Sequence, residues 1–93
     1  MSEGPRRRVR VSVTPHFQRA YRKLSPTLQR LADDKDQRFR ANPFDPRLKT
    51  HALKGTLNGL WSYSVDSRHR ILCEFLSPTD VLYHDIGSHD IYR

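Results

Sequence analysis

The stretch GLWSYSVDSRHRILCEFLSPTDVLYHDIG, residues 59–87, decides the fold. Trp61, Tyr63 and Val65 recur at every second position, so they share one face of a strand. Asp66-Ser67-Arg68-His69 supplies a turn. Ile71, Cys73 and Phe75 then alternate with Leu72 and Leu76, which makes the next strand apolar on both faces and places it centrally. Ser77-Pro78-Thr79-Asp80 is a second turn. Val81 to Ile86 forms a further strand, and Gly87 breaks it ahead of the tail Ser88-His89-Asp90-Ile91-Tyr92-Arg93.

Working back toward the N-terminus, the period changes. In residues 42–58, Pro43, Pro46, Gly55 and Asn58 interrupt any repeat, and Arg47, Lys49, His51 and Lys54 crowd into eight positions. This segment reads as a loop anchored by Leu48 and Leu53. Before it, Ser25-Pro26 starts a helix on which Leu28, Leu31, Ala32 and Phe39 form the apolar side, ending at Asn42 ahead of Pro43. Thr14-Pro15 gives the same start signal, a capping hydroxyl followed by proline, and Phe17, Ala20, Tyr21 and Leu24 recur at helical spacing. Val9, Val11 and Val13, alternating with Arg10 and Ser12, predict an opening strand. The expected order is β-α-α-β-β-β, an α+β fold with a helical hairpin on a mainly antiparallel four-stranded sheet. Residues 1–8 are expected to be a basic arm and residues 9–93 the folded domain.

Ninety-three residues suit a single core, since a chain this short buries only about 60–70% of its unfolded surface. The lone cysteine, Cys73, excludes an internal disulfide and reads as a small buried hydrophobe. There is no apolar region after Arg6, Arg7 and Arg8 of the kind a secretion signal needs, nor a run long enough to span a membrane, so the cytoplasm is the expected location. The net charge of +7 is uneven: residues 1–54 carry 14 Lys/Arg against five Asp/Glu, whereas residues 55–93 carry three against five. Such a field favours a polyanion or an acidic protein.

Several chemistries lack their residues. One cysteine and scattered histidines do not give zinc-ligand spacing, no glycine-rich phosphate loop or serine-nucleophile motif occurs, and the carboxylates do not cluster as a magnesium site would require. No metal or cofactor is therefore expected. What is present is a set of His, Arg and Lys beside aromatics. That set suits attack of a ribose 2′-OH on its own adjacent phosphate. Imidazole serves either proton step near neutrality, and guanidinium matches the geometry of phosphate while staying charged.

Leu48-Lys49-Thr50-His51-Ala52-Leu53-Lys54-Gly55, then Gly59-Leu60-Trp61-Ser62, Arg70-Ile71 and Asp85-Ile86-Gly87-Ser88-His89-Asp90-Ile91-Tyr92 together resemble the RelE/ParE toxin family, nearest to its YafQ- and YoeB-like mRNA interferases. The resemblance covers roughly residues 9–93. It implies a ribosome-dependent mRNA endoribonuclease held silent by a cognate antitoxin in a hetero-oligomer. Carried over by position, it implies an acid/base role for His51 and for His89, contact of Arg70 with the scissile phosphate, and an aromatic at Tyr92 that stacks on or orients a base. Lys49, Lys54 and Arg68 would meet phosphates of mRNA or ribosomal RNA, and the basic charge calls for an acidic antitoxin. One position departs: Ser64 stands where several active members carry His or Arg.

Plainer readings accompany each of these residues. Lys49, Lys54 and Arg68 suit a solvated surface, and His51 a loop side chain. A salt bridge from Arg70 to Asp66 or Asp85 is its structural alternative, as is a bond from His89 to Asp90. Trp61 reads as packing, His16 and His84 carry no assigned role, His69 suits a turn, and the run Asp33-Asp34-Lys35-Asp36 suits a solvated helix face. Two other functions share the scaffold: a nonenzymatic ParE-like gyrase inhibitor, and an RNA-binding module without cleavage.

Overall fold

In the computed structural model, residues 8–92 are described, apart from the side chains of His89 and Asp90. All but Arg8 of the expected basic arm lies outside them. Strand β1 (Arg10–Val13) leads to helix α1 (Pro15–Arg22) and helix α2 (Pro26–Ala41). A 3₁₀ turn, η1 (Pro46–Leu48), precedes the two-residue strand β2 (His51–Ala52), and a second, η2 (Gly55–Leu57), precedes β3 (Trp61–Ser64). Strands β4 (Arg70–Ser77) and β5 (Asp80–Gly87) follow, and the chain closes on a third 3₁₀ turn, η3 (His89–Tyr92).

Both helices start as their sequences dictate. Thr14 Oγ1 accepts from the Phe17 amide at 3.0 Å and Ser25 Oγ from the Leu28 amide at 3.2 Å, each ahead of a proline at the first helical turn. The sheet runs β1-β5-β4-β3-β2, with β1 parallel to β5 and every other pairing antiparallel. It holds five strands where the alternation predicts four. Two residues are too few to display a period, and β2 is recruited by backbone pairing to β3 from within a segment that proline and glycine otherwise break.

Phe39 of α2 is fully buried, stacked on Tyr63 at 4.5 Å between ring centroids and edge-on to Tyr83 at 5.8 Å. Ile71, Cys73 and Val81 belong to the same core, and burial pushes the Cys73 thiol up to about 12. The two buried phenols need partners. Tyr63 and Tyr83 hydroxyls lie 2.9 Å apart, and Tyr83 donates to Asp36 at 2.7 Å, whose carboxylate Arg40 holds from the next turn of α2. Asp36 is thus turned inward, unlike the solvated face read for the run 33–36; a charged side chain one helical turn from Phe39 reaches the hydroxyl that the core cannot leave unpaired. Trp61 packs edge-on to Phe75 and Phe44, each at 5.5 Å.

An irregularity in β5 sets its outward face. Leu72 pairs with Asp85 while the next residue, Cys73, pairs with Tyr83, which leaves His84 as an extra residue. Strict alternation would put Tyr83, Asp85 and Gly87 on one side. The bulge instead keeps both Tyr83 and Ile86 in the core and turns Asp85 and Gly87 to the side of Leu72 and Arg70. Among the described residues, no helix is long and apolar enough to cross a membrane.

Candidate active site

The face of the sheet away from the helices is built by alternation. With Tyr63 and Ile71 buried in the helix-side core, Ser62 and Ser64 of β3 and Arg70, Leu72 and Glu74 of β4 point the other way. Cross-strand register then forms two adjacent rows. His51, Ser62, Leu72 and Asp85 make one; Ser64, Arg70 and Gly87 make the other. Two residues beyond Gly87 comes His89, in turn η3, which packs against both β4 and β5. The backbone therefore brings Arg70 and the His89 turn to the same end of the sheet.

Arg70 is half-buried, and its Nη1 donates to the carbonyls of Asp66 at 2.8 Å and His69 at 3.2 Å. Both bonds come from one terminal nitrogen and tie the guanidinium to the β3–β4 turn. The two carboxylates weighed as structural partners are engaged elsewhere: Asp85 faces His16 at 3.2 Å, and Asp66 receives the His69 ring at 3.0 Å. For Asp66, burial alone would raise the carboxyl, but hydrogen bonds from the Arg68 amide and from the His69 ring and amide outweigh it and hold the group below its ordinary range. Asp66 is thereby the organiser of the turn that delivers Arg70.

His51 is exposed on edge strand β2, and its Nδ1 lies 2.9 Å from the carbonyl oxygen of Lys49. A carbonyl only accepts, so Nδ1 carries a proton and the neutral ring offers Nε2 as the basic nitrogen. Lys49 makes that contact from a left-handed backbone conformation (φ 55°). Its side chain and those of Lys54 and Arg68 are exposed, Lys49 and Lys54 on either side of β2 and Arg68 in the β3–β4 turn. Tyr92 is half-buried, and its hydroxyl lies 2.7 Å from Ser62 Oγ.

Some features escaped the sequence. Ser62 is fully buried; alternation puts it on the outer face, but only the returning C-terminus explains its burial. The His84 ring meets Glu74 at 2.9 Å and His16 meets Asp85, pairings across 10 and 69 positions that local spacing does not reveal. Among the described residues, no three His, Cys, Asp or Glu side chains gather as metal ligands would.

Solved structures share this arrangement of strands and helices. A YoeB/ParE toxin from Agrobacterium tumefaciens matches 87% of this chain and 99% of its own with a TM-score of 0.72 at 19% identity. A chain of the RelBE2 toxin–antitoxin complex from Mycobacterium tuberculosis matches 88% and 99%, with a TM-score of 0.75 at 19% identity. The chain has the RelE/ParE-like toxin fold. A third match, from the E. coli DinJ-YafQ toxin–antitoxin complex, spans 90% of this chain and 96% of its own at a TM-score of 0.71 and 11% identity. No family model matches the sequence, and no curated protein matches it. Within the RelE/ParE-like fold, the sheet face described above is the one that carries every candidate site residue on a strand.

Proposed function

We propose that this chain is the toxin of a type II toxin–antitoxin pair and a ribosome-dependent mRNA endoribonuclease of the cytoplasm that works without a metal ion. One observation carries the reading. Arg70 pairs with Gly87, so a phosphate-matching guanidinium and the turn bearing His89 share one end of the sheet.

In this reading Arg70 holds the scissile phosphate and neutralises the charge that builds on it. His51 and His89 divide the two proton transfers. One accepts the proton of the ribose 2′-OH as O2′ bonds to phosphorus; the other protonates the 5′-oxygen as the P–O5′ bond breaks. The upstream fragment ends in a cyclic phosphate. Lys49, Lys54 and Arg68 position neighbouring phosphates of mRNA or ribosomal RNA, and Tyr92 offers a ring to a base. Two of the matched structures are of toxin–antitoxin complexes, which supports an antitoxin partner here; the basic half of the chain calls for an acidic one.

Inducible expression with mapping of mRNA ends tests the reading. New ends within translated frames are expected, and His89→Ala or Arg70→Lys should each cut their yield by about 100-fold. Growth arrest with intact messages would reject it. A second reading is favoured by Ser64, directly opposite Arg70, where a hydroxyl supplies neither charge nor a neutral-range proton. A nonenzymatic RNA binder or ParE-like gyrase inhibitor would leave mRNA whole, and the latter would raise DNA-damage signalling.

A further inference from the structure

Besides the two core phenols, Ser62 is the one polar side chain among the described residues that is buried to the level of the core. It sits in β3 with β2 on one side and β4 on the other. A hydroxyl there is unfavourable unless paired. Its partner comes from 30 positions away: the phenol of Tyr92, the last described residue, at 2.7 Å.

The turn that this bond reaches has little stability of its own. Four residues of 3₁₀ helix, tied internally by the Ile91 amide to the Ser88 carbonyl at 3.1 Å, are too short to persist unaided. The sheet must hold it. Ile91 is buried and approaches Gly87 so closely that a Cβ there would lie 2.9 Å from Ile91 Cγ2. That contact is apolar and non-directional, whereas the Ser62–Tyr92 hydrogen bond is directional. His89 lies between these anchors and the strand end at Gly87 that faces Arg70.

We propose that Ser62 is a positioning residue: through its hydrogen bond to Tyr92 it locks the C-terminal turn, and with it the His89 backbone, beside Arg70. The proposal rests on the nuclease reading and adds to it a residue that never touches RNA. Misplacing an acid/base group by about an ångström costs on the order of 100-fold, and losing one hydrogen bond shifts an equilibrium by roughly tenfold. Ser62→Ala should therefore lower kcat about tenfold or more with KM within about twofold.

The experiment measures cleavage of a translated mRNA by the full chain and amide hydrogen exchange across residues 88–92, for wild type, Ser62→Ala, Ser62→Thr, Tyr92→Phe and the Ser62→Ala/Tyr92→Phe double variant. Tyr92→Phe changes no residue of the sheet and keeps the ring, so it reports even where a change at buried Ser62 unfolds the chain. Support is a fall in kcat and faster exchange confined to the turn in both single variants, no further loss in the double variant, and recovery in Ser62→Thr. A wild-type kcat in Ser62→Ala beside an impaired Tyr92→Phe would mean that the phenol acts on substrate itself, and would overturn the proposal. Unchanged kcat and exchange in Tyr92→Phe would overturn it too. If wild type leaves mRNA intact, the nuclease reading fails and takes the positioning role of Ser62 in cleavage with it, while the exchange data still judge whether the bond fixes the turn.

Discussion

Asp66 shows how much one side chain can carry at the edge of a candidate site. Its carboxylate collects the Arg68 and His69 amides and the His69 ring, while its own carbonyl receives Arg70. Its carboxyl is held below the ordinary 3.8 in the folded chain. A lowered folded value means that this contribution to stability is complete above the unfolded value and disappears as pH falls through the folded one. Asp66→Asn should therefore melt a few degrees below wild type at about pH 7, and the gap should narrow as pH falls below the ordinary 3.8. A gap of constant size across that range would show that the carboxylate charge plays no part. The same residue marks what sequence could reveal about the site. Asp66 read as a turn residue, and Arg70 as a charged residue opening an apolar strand, both from local pattern. That Asp66 anchors the turn through three donors, or that Ser62 is buried by Tyr92, depends on contacts made only after the chain has folded back on itself. His84 was legible as a strand residue, but the bulge that makes it the extra position arises from pairing with β4 and leaves no mark in β5 alone.

At the level of elements, the strongest local signals gave the right structure. The paired Thr-Pro and Ser-Pro starts, the helical spacing from Phe17, which stops at Arg22 short of Leu24, and the period-two segments between Trp61 and Ile86 correspond to helices or strands. The two-residue β2 did not declare itself, because a strand that short is defined by its neighbour. Nor did the parallel docking of β1 beside β5, which joins the two ends of the chain. Thr14 secures that junction. Its hydroxyl caps α1 and also donates to the His84 carbonyl at 3.2 Å, while its amide donates to the Tyr83 carbonyl at 3.1 Å. Ser25 caps α2 with a single exposed bond. Thr14→Ala should then cost about 2 kcal/mol and Ser25→Ala about 1 kcal/mol or less in urea denaturation. Equal losses would mean that the tie between α1 and β5 contributes nothing beyond an ordinary helix cap.

Across the whole molecule, charge is segregated along the chain, and the β2–β3 register sets candidate cations apart: Lys49 extends toward Ser64 and the Arg70 end, Lys54 toward Gly59 at the other. Lys49 and Lys54 come from the basic first half, flanking β2, and Arg68 comes from the acidic second half, at the β3–β4 turn. All three are exposed, and Arg68 lies two residues from Arg70. An exposed cation contributes little to folding, since surface pairs are worth about 0–1 kcal/mol. Against a phosphate backbone the same cation releases a bound counterion, and each single-strand contact adds about −0.7 to the slope of log affinity against log salt. If these three residues meet RNA, replacing all of them with glutamine should flatten that slope by roughly 2. Filter binding of a single-stranded RNA over a series of salt concentrations measures it directly. Tm in the same buffers should hardly move, because the substituted groups lie outside the core. A slope that stays at the wild-type value would place the RNA elsewhere on the basic surface.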